Sequence, residues 1–183
     1  PYDAALLHRE LALFPEWYVG RELGLGFTAA EQALWDALAT QLVDRALAQT
    51  QVYVHRDYMV RNLMLASPNP GVLDFQDAVL GPLSYDLASL LRDAFFSFSA
   101  PQIQRWMHAY WQAARAAAVA VPDSEAQLAS DVDWMGTQRH LKVLGIFARL
   151  KHRDGKPKYS QDLPRFFAYA TKVALRYREL KPL

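Results

Sequence analysis

The sequence contains no cysteine among its 183 residues. That absence excludes disulfide bridges and thiolate metal sites, and it is typical of proteins in a reducing compartment. The chain also has no apolar stretch near the roughly 20 residues that span a bilayer, and its start lacks the pattern of a signal peptide. These absences predict a cytoplasmic protein that has no membrane partner.

An excess of either charge is lacking too. Lys and Arg number 20 against 19 for Asp and Glu, which gives a net charge of +1. The balance offers no general attraction to nucleic acid, so no nucleic-acid partner is expected. The 52% of hydrophobic residues is ample for a buried core, and the length favours a single domain over residues 1–183. Any partner must be inferred from a local site.

The spacing of apolar residues favours helices over most of the chain. The predicted helices cover residues 2–14, 28–49, 84–96, 101–120, 125–150 and 163–179. The first is followed by a predicted loop with three glycines, and the second begins with the capping-box pattern Thr28 to Glu31. Short apolar segments at 51–54, 63–66 and 71–74 predict strands, and the Pro- and Gly-rich run between the last two predicts a hairpin. The expected fold is α+β and mainly α, with one small antiparallel hairpin.

Three polar residues stand where this small β region turns. Asn62 begins one strand of the predicted hairpin and Asp74 ends the other, so the two should be neighbours in space. Asp57, in the preceding loop, can face the same point. Transfer of phosphate from a nucleotide requires a carboxylate for the attacking hydroxyl and oxygen ligands for Mg²⁺. We therefore predict Asp57 as the catalytic base and Asn62 and Asp74 as the metal ligands.

The string HRDYMVRN at 55–62, together with LDF at 73–75, resembles the catalytic core of the protein-kinase-like superfamily. The loop alone is similar to that of tyrosine kinases. However, Gln76 replaces the glycine of the Asp-Phe-Gly motif, and only twelve positions lead from Asp74 to Asp86. That distance leaves no room for an activation segment, so a protein substrate is disfavoured.

The run from Gly81 to Ala88 resembles the aminoglycoside phosphotransferase and choline kinase branch, which phosphorylates small molecules. The resemblance implies a kinase-like C-terminal lobe, ATP and Mg²⁺ as cofactors, and an Asp86 that braces the catalytic loop. Longer strings resemble the bacterial anomeric kinases for N-acetylmuramate and N-acetylglucosamine; they are ELALFPEWY at 10–18, LDFQDAVLGP at 73–82 and RHLKVLGIFARLKHRDGKPKY at 139–159. They imply an amino-sugar substrate in cell-wall recycling. An aminoglycoside or a choline-like cation is the alternative substrate, and a non-catalytic binding module is the alternative class.

Four further residues have two interpretations each. His55 is expected to support the loop rather than to react. Arg61 contacts phosphate or substrate, or it is a solvated loop residue. Glu10 is a candidate contact to sugar hydroxyls, the alternative being a helix-surface charge. Arg153 lies in a basic stretch that is either a solvated surface or a partner for phosphate or the lactyl carboxylate of N-acetylmuramate.

A second His-Arg-Asp string, at 152–154, is rejected as a catalytic loop because Tyr159 stands where an asparagine is needed. The resemblance also implies an N-terminal lobe with a Gly-rich strand-turn-strand and a lysine, and no segment before Asp57 has that pattern. We therefore predict that the chain is the C-terminal lobe of a longer kinase. Its expected partners are the N-terminal lobe of the same protein, the nucleotide and the sugar, and alone it should have little or no activity.

Overall fold

A computed structural model describes residues 1–93 and 95–182. Within these residues there are six α-helices: α1 Ala4–Leu13, α2 Ala29–Leu47, α3 Tyr85–Leu91, α4 Ala100–Ala116, α5 Glu125–His152 and α6 Leu163–Ala174. The four strands described are β1 Gln51–Val54, β2 Leu63–Met64, β3 Gly71–Val72 and β4 Val79–Pro82. A π-helix covers Phe14–Glu22, and 3₁₀ turns cover Val60–Asn62, Pro157–Asp162 and Arg178–Leu180. The predicted α+β, mainly α class is confirmed.

The starts of the first two helices follow from local side-chain hydrogen bonds. Asp3 Oδ1 accepts the backbone N–H of Leu6 at 2.9 Å, which satisfies one free donor of α1. At α2, Glu31 Oε2 accepts the N–H of Thr28 at 2.8 Å, and Thr28 Oγ1 accepts the N–H of Glu31 at 3.3 Å. This is the reciprocal bonding of a capping box, and it confirms the predicted start of α2.

The predicted hairpin is present, and a second strand pair accompanies it. β2 and β3 run antiparallel with Leu63 opposite Val72. β1 pairs with β4, a strand that was not among the predicted ones. A Cβ on Gly81 would lie 2.8 Å from the Val54 side chain and 3.2 Å from that of Tyr2. Glycine is therefore required there by close packing.

Several predicted helix ends were wrong. The helix expected over 84–96 ends at Leu91, because Arg92 leaves the helical region at φ −127°. Those expected over 101–120 and 163–179 end at Ala116 and Ala174. The loop expected after α1 is in part the π-helix, which contains Gly20. Pro15 lacks the N–H needed to continue α1, so the hydrogen-bonding pattern changes there.

The chain divides into two compact units, with boundaries inside α2 and α5. Unit 1 comprises Pro1–Tyr2 and Ala46–Gly136. Its core is formed by Leu83, Ala88, Leu128 and Val132, with half-buried side chains of β1 and α4 packed around them. This core supports α3, the helix that follows β4.

Unit 2 comprises Asp3–Arg45 and the residues from Thr137 onward. Its buried side chains include an aromatic series in which Phe14 stacks on Tyr18 at 5.4 Å and on Trp35 at 5.3 Å. A Cβ on Gly145 would lie 2.4 Å from the backbone of Leu13, so the end of α1 packs directly on the backbone of α5. In the described part of the chain no helix is both long and apolar enough to cross a membrane.

Candidate active site

The catalytic loop, residues 55–62, lies between β1 and β2 in unit 1. Two consecutive backbone amides at its start bond to one carboxylate: His55 N–H donates to Asp86 Oδ2 at 2.7 Å, and Arg56 N–H to Oδ1 at 3.0 Å. Arg56 has φ 73°, a conformation that costs energy for a non-glycine residue. The bidentate contact with Asp86, in the first turn of α3, holds this turn of the backbone in place.

His55 connects the loop to the end of β3. Its Nε2 lies 2.8 Å from the carbonyl oxygen of Leu73, and its Nδ1 accepts the N–H of Asp57 at 3.3 Å. This pattern requires the proton on Nε2, because a carbonyl can only accept. The ring therefore ties the backbone of Asp57 to the residue that precedes Asp74.

Asn62 ends the loop and is buried, with 8% of its surface exposed. Its Nδ2 donates to the carbonyl of Asp57 at 2.8 Å, and its own carbonyl accepts the N–H of Leu73 at 2.9 Å. The loop is thereby closed on itself and joined to β3. Within residues 1–93 and 95–182, no hydrogen bond occupies the half-buried carboxylate of Asp57, which leaves its oxygens able to accept a proton.

Asp74 directly follows Leu73, so the backbone bond to Asn62 brings these two predicted metal ligands to adjacent positions across the hairpin. Asp74 has φ 67°, which Asp tolerates better than most residues, and its side chain is exposed. Gln76 Nε2 donates to Asp74 Oδ1 at 2.8 Å. Gln76 therefore orients the carboxylate of Asp74.

The donor chemistry of this pair fits Mg²⁺. Because Asn62 Nδ2 is bonded to Asp57, Oδ1 is the atom left to act as a ligand, and Asp74 adds a carboxylate. Mg²⁺ is usually held by one or two protein oxygens, with phosphates and waters completing the octahedron. Among the described residues there is no cluster of three or more His, Cys, Asp or Glu side chains suited to a metal.

A second carboxylate below the loop was missed in the sequence. Asp93 is fully buried, and its Oδ2 accepts the N–H of Val60 at 3.1 Å, while Oδ1 accepts that of Phe95 at 2.7 Å. The guanidinium of Arg61 lies 4.7 Å from the centre of the Phe95 ring. The helix predicted over 84–96 would place Asp86 and Asp93, seven positions apart, on one face, whereas in the structure Asp93 follows the end of α3.

A cavity of about 400 Å³ lies beside the loop in unit 1. Its lining combines aromatic and aliphatic side chains with one carboxylate, and includes Tyr58, Leu83, Asp86, Trp106 and Tyr110. Burial, and to a smaller extent the charge of Asp86, raises the pKa of Tyr110 above 10.0. The phenol therefore stays protonated near neutral pH and can act as a donor.

The other two predicted contacts lie in unit 2. Glu10 is buried, with 6% exposed, and its carboxylate bonds Lys142 Nζ at 2.9 Å and Gln138 Nε2 at 3.2 Å. Arg153 is exposed and forms two hydrogen bonds to the carboxylate of its neighbour Asp154. The bonds of Glu10 to Lys142 and Gln138, and those of Arg153 to Asp154, were not predicted from the sequence.

The chain belongs to the phosphotransferase enzyme family, whose model matches residues 2–119. This family assignment agrees with the loop, the hairpin and the bracing carboxylate of unit 1.

Individual relatives give a more specific comparison than the family model. An N-acetylmuramate/N-acetylglucosamine kinase of Pseudomonas putida is 57% identical over 182 residues, which are 100% of this chain and 54% of the relative. A kinase of the same name from Neisseria meningitidis serogroup B is 52% identical over the same shares, and one from Caulobacter vibrioides is 35% identical over 92% of this chain and 46% of the relative. The chain spans about half the length of these curated relatives.

Proposed function

We propose that this chain is the catalytic half of a kinase that transfers the γ-phosphate of ATP to the anomeric hydroxyl of N-acetylmuramate or N-acetylglucosamine. The observation that carries the proposal is the closed catalytic loop, in which Asp57 and Asn62 are hydrogen-bonded to each other and Asn62 is joined to the residue before Asp74. The relatives' names supply the amino sugar. The reaction would serve the salvage of cell-wall sugars in the cytoplasm.

In this mechanism Asp57 orients the sugar hydroxyl and accepts its proton. The hydroxyl oxygen forms the new bond to the γ-phosphorus as the bond to the bridging oxygen breaks, and ADP leaves with that oxygen. General-base assistance of this kind contributes about 10²–10⁴ in rate. His55 and Asp86 act through the backbone by holding Asp57 at the correct position.

Asn62 and Asp74 would hold Mg²⁺, which neutralises charge on the nucleotide phosphates when bound. Arg61 is exposed one position before Asn62 and is proposed to contact phosphate or substrate. Glu10 and Arg153 stay candidate contacts to phosphate or substrate, and their alternative roles as purely structural residues stay open. Each would have to exchange a present hydrogen bond for one to substrate.

We also propose that the other half of the protein covers the exposed apolar side chains of the β region. Tyr53 is 87% exposed, Leu65 95% and Phe75 68%, and all three lie on or next to the strands of unit 1. Large exposed apolar groups in one region are typical of a surface that another domain covers. In this proposal that domain is the N-terminal, nucleotide-cradling lobe that the resemblance implies.

The test is a nucleotide-consumption assay of the full-length protein with N-acetylmuramate, N-acetylglucosamine, aminoglycosides and choline, with Asp57→Asn as the control. We expect ADP release with the two amino sugars and Mg²⁺, and little or no turnover by the isolated chain. Turnover confined to an aminoglycoside or choline would replace the substrate. The absence of turnover with every acceptor would favour a binding module.

A further inference from the structure

The catalytic loop is held at two separate places by carboxylates of the segment that begins with α3. At the start of the loop, the Asp86 carboxylate accepts hydrogen bonds from the backbone N–H groups of His55 and Arg56. Asp93 takes the amide of Val60 near its end. The first contact lies next to the proposed base, Asp57, and the second lies within one turn of a proposed metal ligand, Asn62.

Asp93 is a costly residue in its position, because none of its surface is exposed. A carboxylate removed from water is tolerated only where hydrogen-bond donors replace its hydration. Here the N–H groups of Val60 and Phe95 take that role, one at each oxygen. Bonds from backbone amides to a charged acceptor are among the stronger ones in proteins, so Asp93 constrains both segments.

The constraint on Val60 is passed to Asn62 by a single turn of 3₁₀-helix, Val60–Asn62. The N–H of Asn62 donates to the carbonyl of Met59 at 2.9 Å, and that of Leu63 donates to Val60. Met59 is itself buried, with 5% exposed. With both ends of this turn bonded, the position of the Val60 amide constrains the backbone of Asn62, from which its side chain extends.

A second contact comes from the same segment. The N–H of Phe95 is bonded to Asp93, and the Phe95 ring packs against the guanidinium of Arg61, the residue directly before Asn62. Cation–π contacts at exposed sites contribute about 0.5–1 kcal/mol, so this contact is the weaker of the two. Both act on the same end of the loop.

We propose that Asp93, assisted by Phe95, is a positioning residue that sets Asn62 for the metal-bound nucleotide, as Asp86 does for Asp57. The proposal rests on the proposed function, because it assigns Asn62 to Mg²⁺. In this proposal Asp86 holds the start of the loop, near Asp57, and Asp93 holds its end, near Asn62. A loss at Asp93 should therefore change the metal requirement, and a loss at Asp86 should change the rate of the chemical step.

The experiment uses the full-length protein and three variants: Asp93→Asn, Asp86→Asn and Phe95→Leu. For Asp93→Asn we expect the Mg²⁺ concentration at half-maximal rate to rise roughly 10-fold, as is usual when a group supporting a metal ligand is lost, with the sugar KM within about twofold. Asp86→Asn should lower kcat roughly 10-fold or more with the Mg²⁺ requirement unchanged. Phe95→Leu, at an exposed site that does not endanger folding, should raise the Mg²⁺ requirement by a smaller factor.

The matched control is Asp133→Asn. Asp133 is another buried carboxylate of unit 1, and the partner described for it is the guanidinium of Arg92 rather than a backbone amide of the loop. Its loss should lower the melting temperature without changing the Mg²⁺ requirement. An equal change in both variants would mean that general loosening of unit 1 explains the effect, and the positioning role would be overturned.

Hydrogen–deuterium exchange of the peptide that contains Val60 separates this proposal from the proposed function. Asp93→Asn should speed exchange there, and Asp133→Asn should not. Unchanged exchange, or faster exchange with an unchanged Mg²⁺ requirement, would overturn the role of Asp93. If the wild-type protein turned over no acceptor, the proposed function would fail, and the role in metal positioning would fall with it even if exchange showed that Asp93 holds the loop.

Discussion

The two His-Arg-Asp strings of this chain contain the same three residues, but the hydrogen-bond partners of those residues differ. In the first, at 55–57, the carboxylate of Asp86 accepts the backbone amides of His55 and Arg56, and the Asp57 side chain keeps its oxygens available. In the second, at 152–154, the side chains bond to one another and to unit 2. His152 Nε2 lies 2.6 Å from Glu22 Oε2, and Arg153 is bonded to Asp154.

The difference indicates what the proposed catalytic string has and the second string lacks. A catalytic carboxylate needs a backbone held by other residues, so that its own side chain is not used for structure. Arg56 can adopt φ 73° because Asp86 bonds the adjacent amides, whereas His152 is the last residue of α5 and the string simply ends a helix. The two strings can be told apart in the sequence by the residue five positions after the aspartate. In the first string that residue is Asn62, whose side chain closes the loop.

The largest expected difference concerns the two aspartates. Asp57→Asn in the full-length protein should lower kcat by about 10²–10⁴, because the amide cannot accept the hydroxyl proton. Asp154→Asn should leave kcat within about twofold, as expected for a change at an exposed residue that has no proposed part in the reaction. Both are measured by ADP release at saturating sugar. Equal losses in the two variants would remove the basis for the comparison.

A smaller effect is expected in the stability of the second string's surroundings. Hydrogen bonding to Lys151, the main cause, and to His152 lowers the pKa of Glu22 below 4.5. A lowered carboxyl pKa contributes stability that is present above 4.5 and is lost as the pH falls through the lower, folded-state pKa. Glu22→Gln should therefore cost about 1 kcal/mol at pH 7, the size typical of a partly exposed ion pair.

Urea denaturation at pH 7 and near pH 3 measures this contribution. The difference in unfolding free energy between wild type and Glu22→Gln should shrink on acidification. Glu16→Gln, an exposed residue of the same π-helix, is the control and should change little at either pH. A difference that stayed constant between the two pH values would show that the charge of Glu22 is not what stabilises this region.

The smallest expected effect is at Arg153. Because its side chain is exposed and already paired with Asp154, Arg153→Ala should change the KM for N-acetylmuramate by less than about twofold. The KM for N-acetylglucosamine, which lacks the lactyl carboxylate, serves as the internal reference. A selective rise with N-acetylmuramate would identify Arg153 as the contact to that carboxylate and make the second string part of the site.

Local signals in the sequence were enough for the hairpin, the capping box of α2 and the order of helices. The pairing of Asn62 with the residue before Asp74 also followed from strand direction. The pairing of β1 with β4 did not, because Gly81 and Pro82 have turn chemistry and their place in a strand depends on packing against Val54 and Tyr2. Contacts of that kind link positions far apart in the chain.

Side-chain partners across long sequence separations were the least predictable feature. Glu10 was expected on a surface or in a sugar pocket. It is buried, and its carboxylate bonds Gln138 and Lys142, which follow it by 128 and 132 positions in the chain. Asp93 was overlooked because its role is to bond an amide, and amides carry no residue-specific pattern. Its spacing from Asp86 was visible, but it gains meaning only beside the structure of the loop.

The two carboxylates that hold the catalytic loop bond to main-chain N–H groups, which almost every amino acid possesses. The residues at 55, 56 and 60 can therefore be exchanged in evolution or by design without removing these hydrogen bonds, provided that the backbone conformation is kept. The side chain of Tyr58 lines the cavity beside the loop and likewise takes no part in the hydrogen bonds to these two carboxylates. A new acceptor could therefore be accommodated by changing Tyr58 while the backbone bonds of Asp86 and Asp93 remain, provided that the side chains of His55 and Asn62, which also hold the loop, are kept.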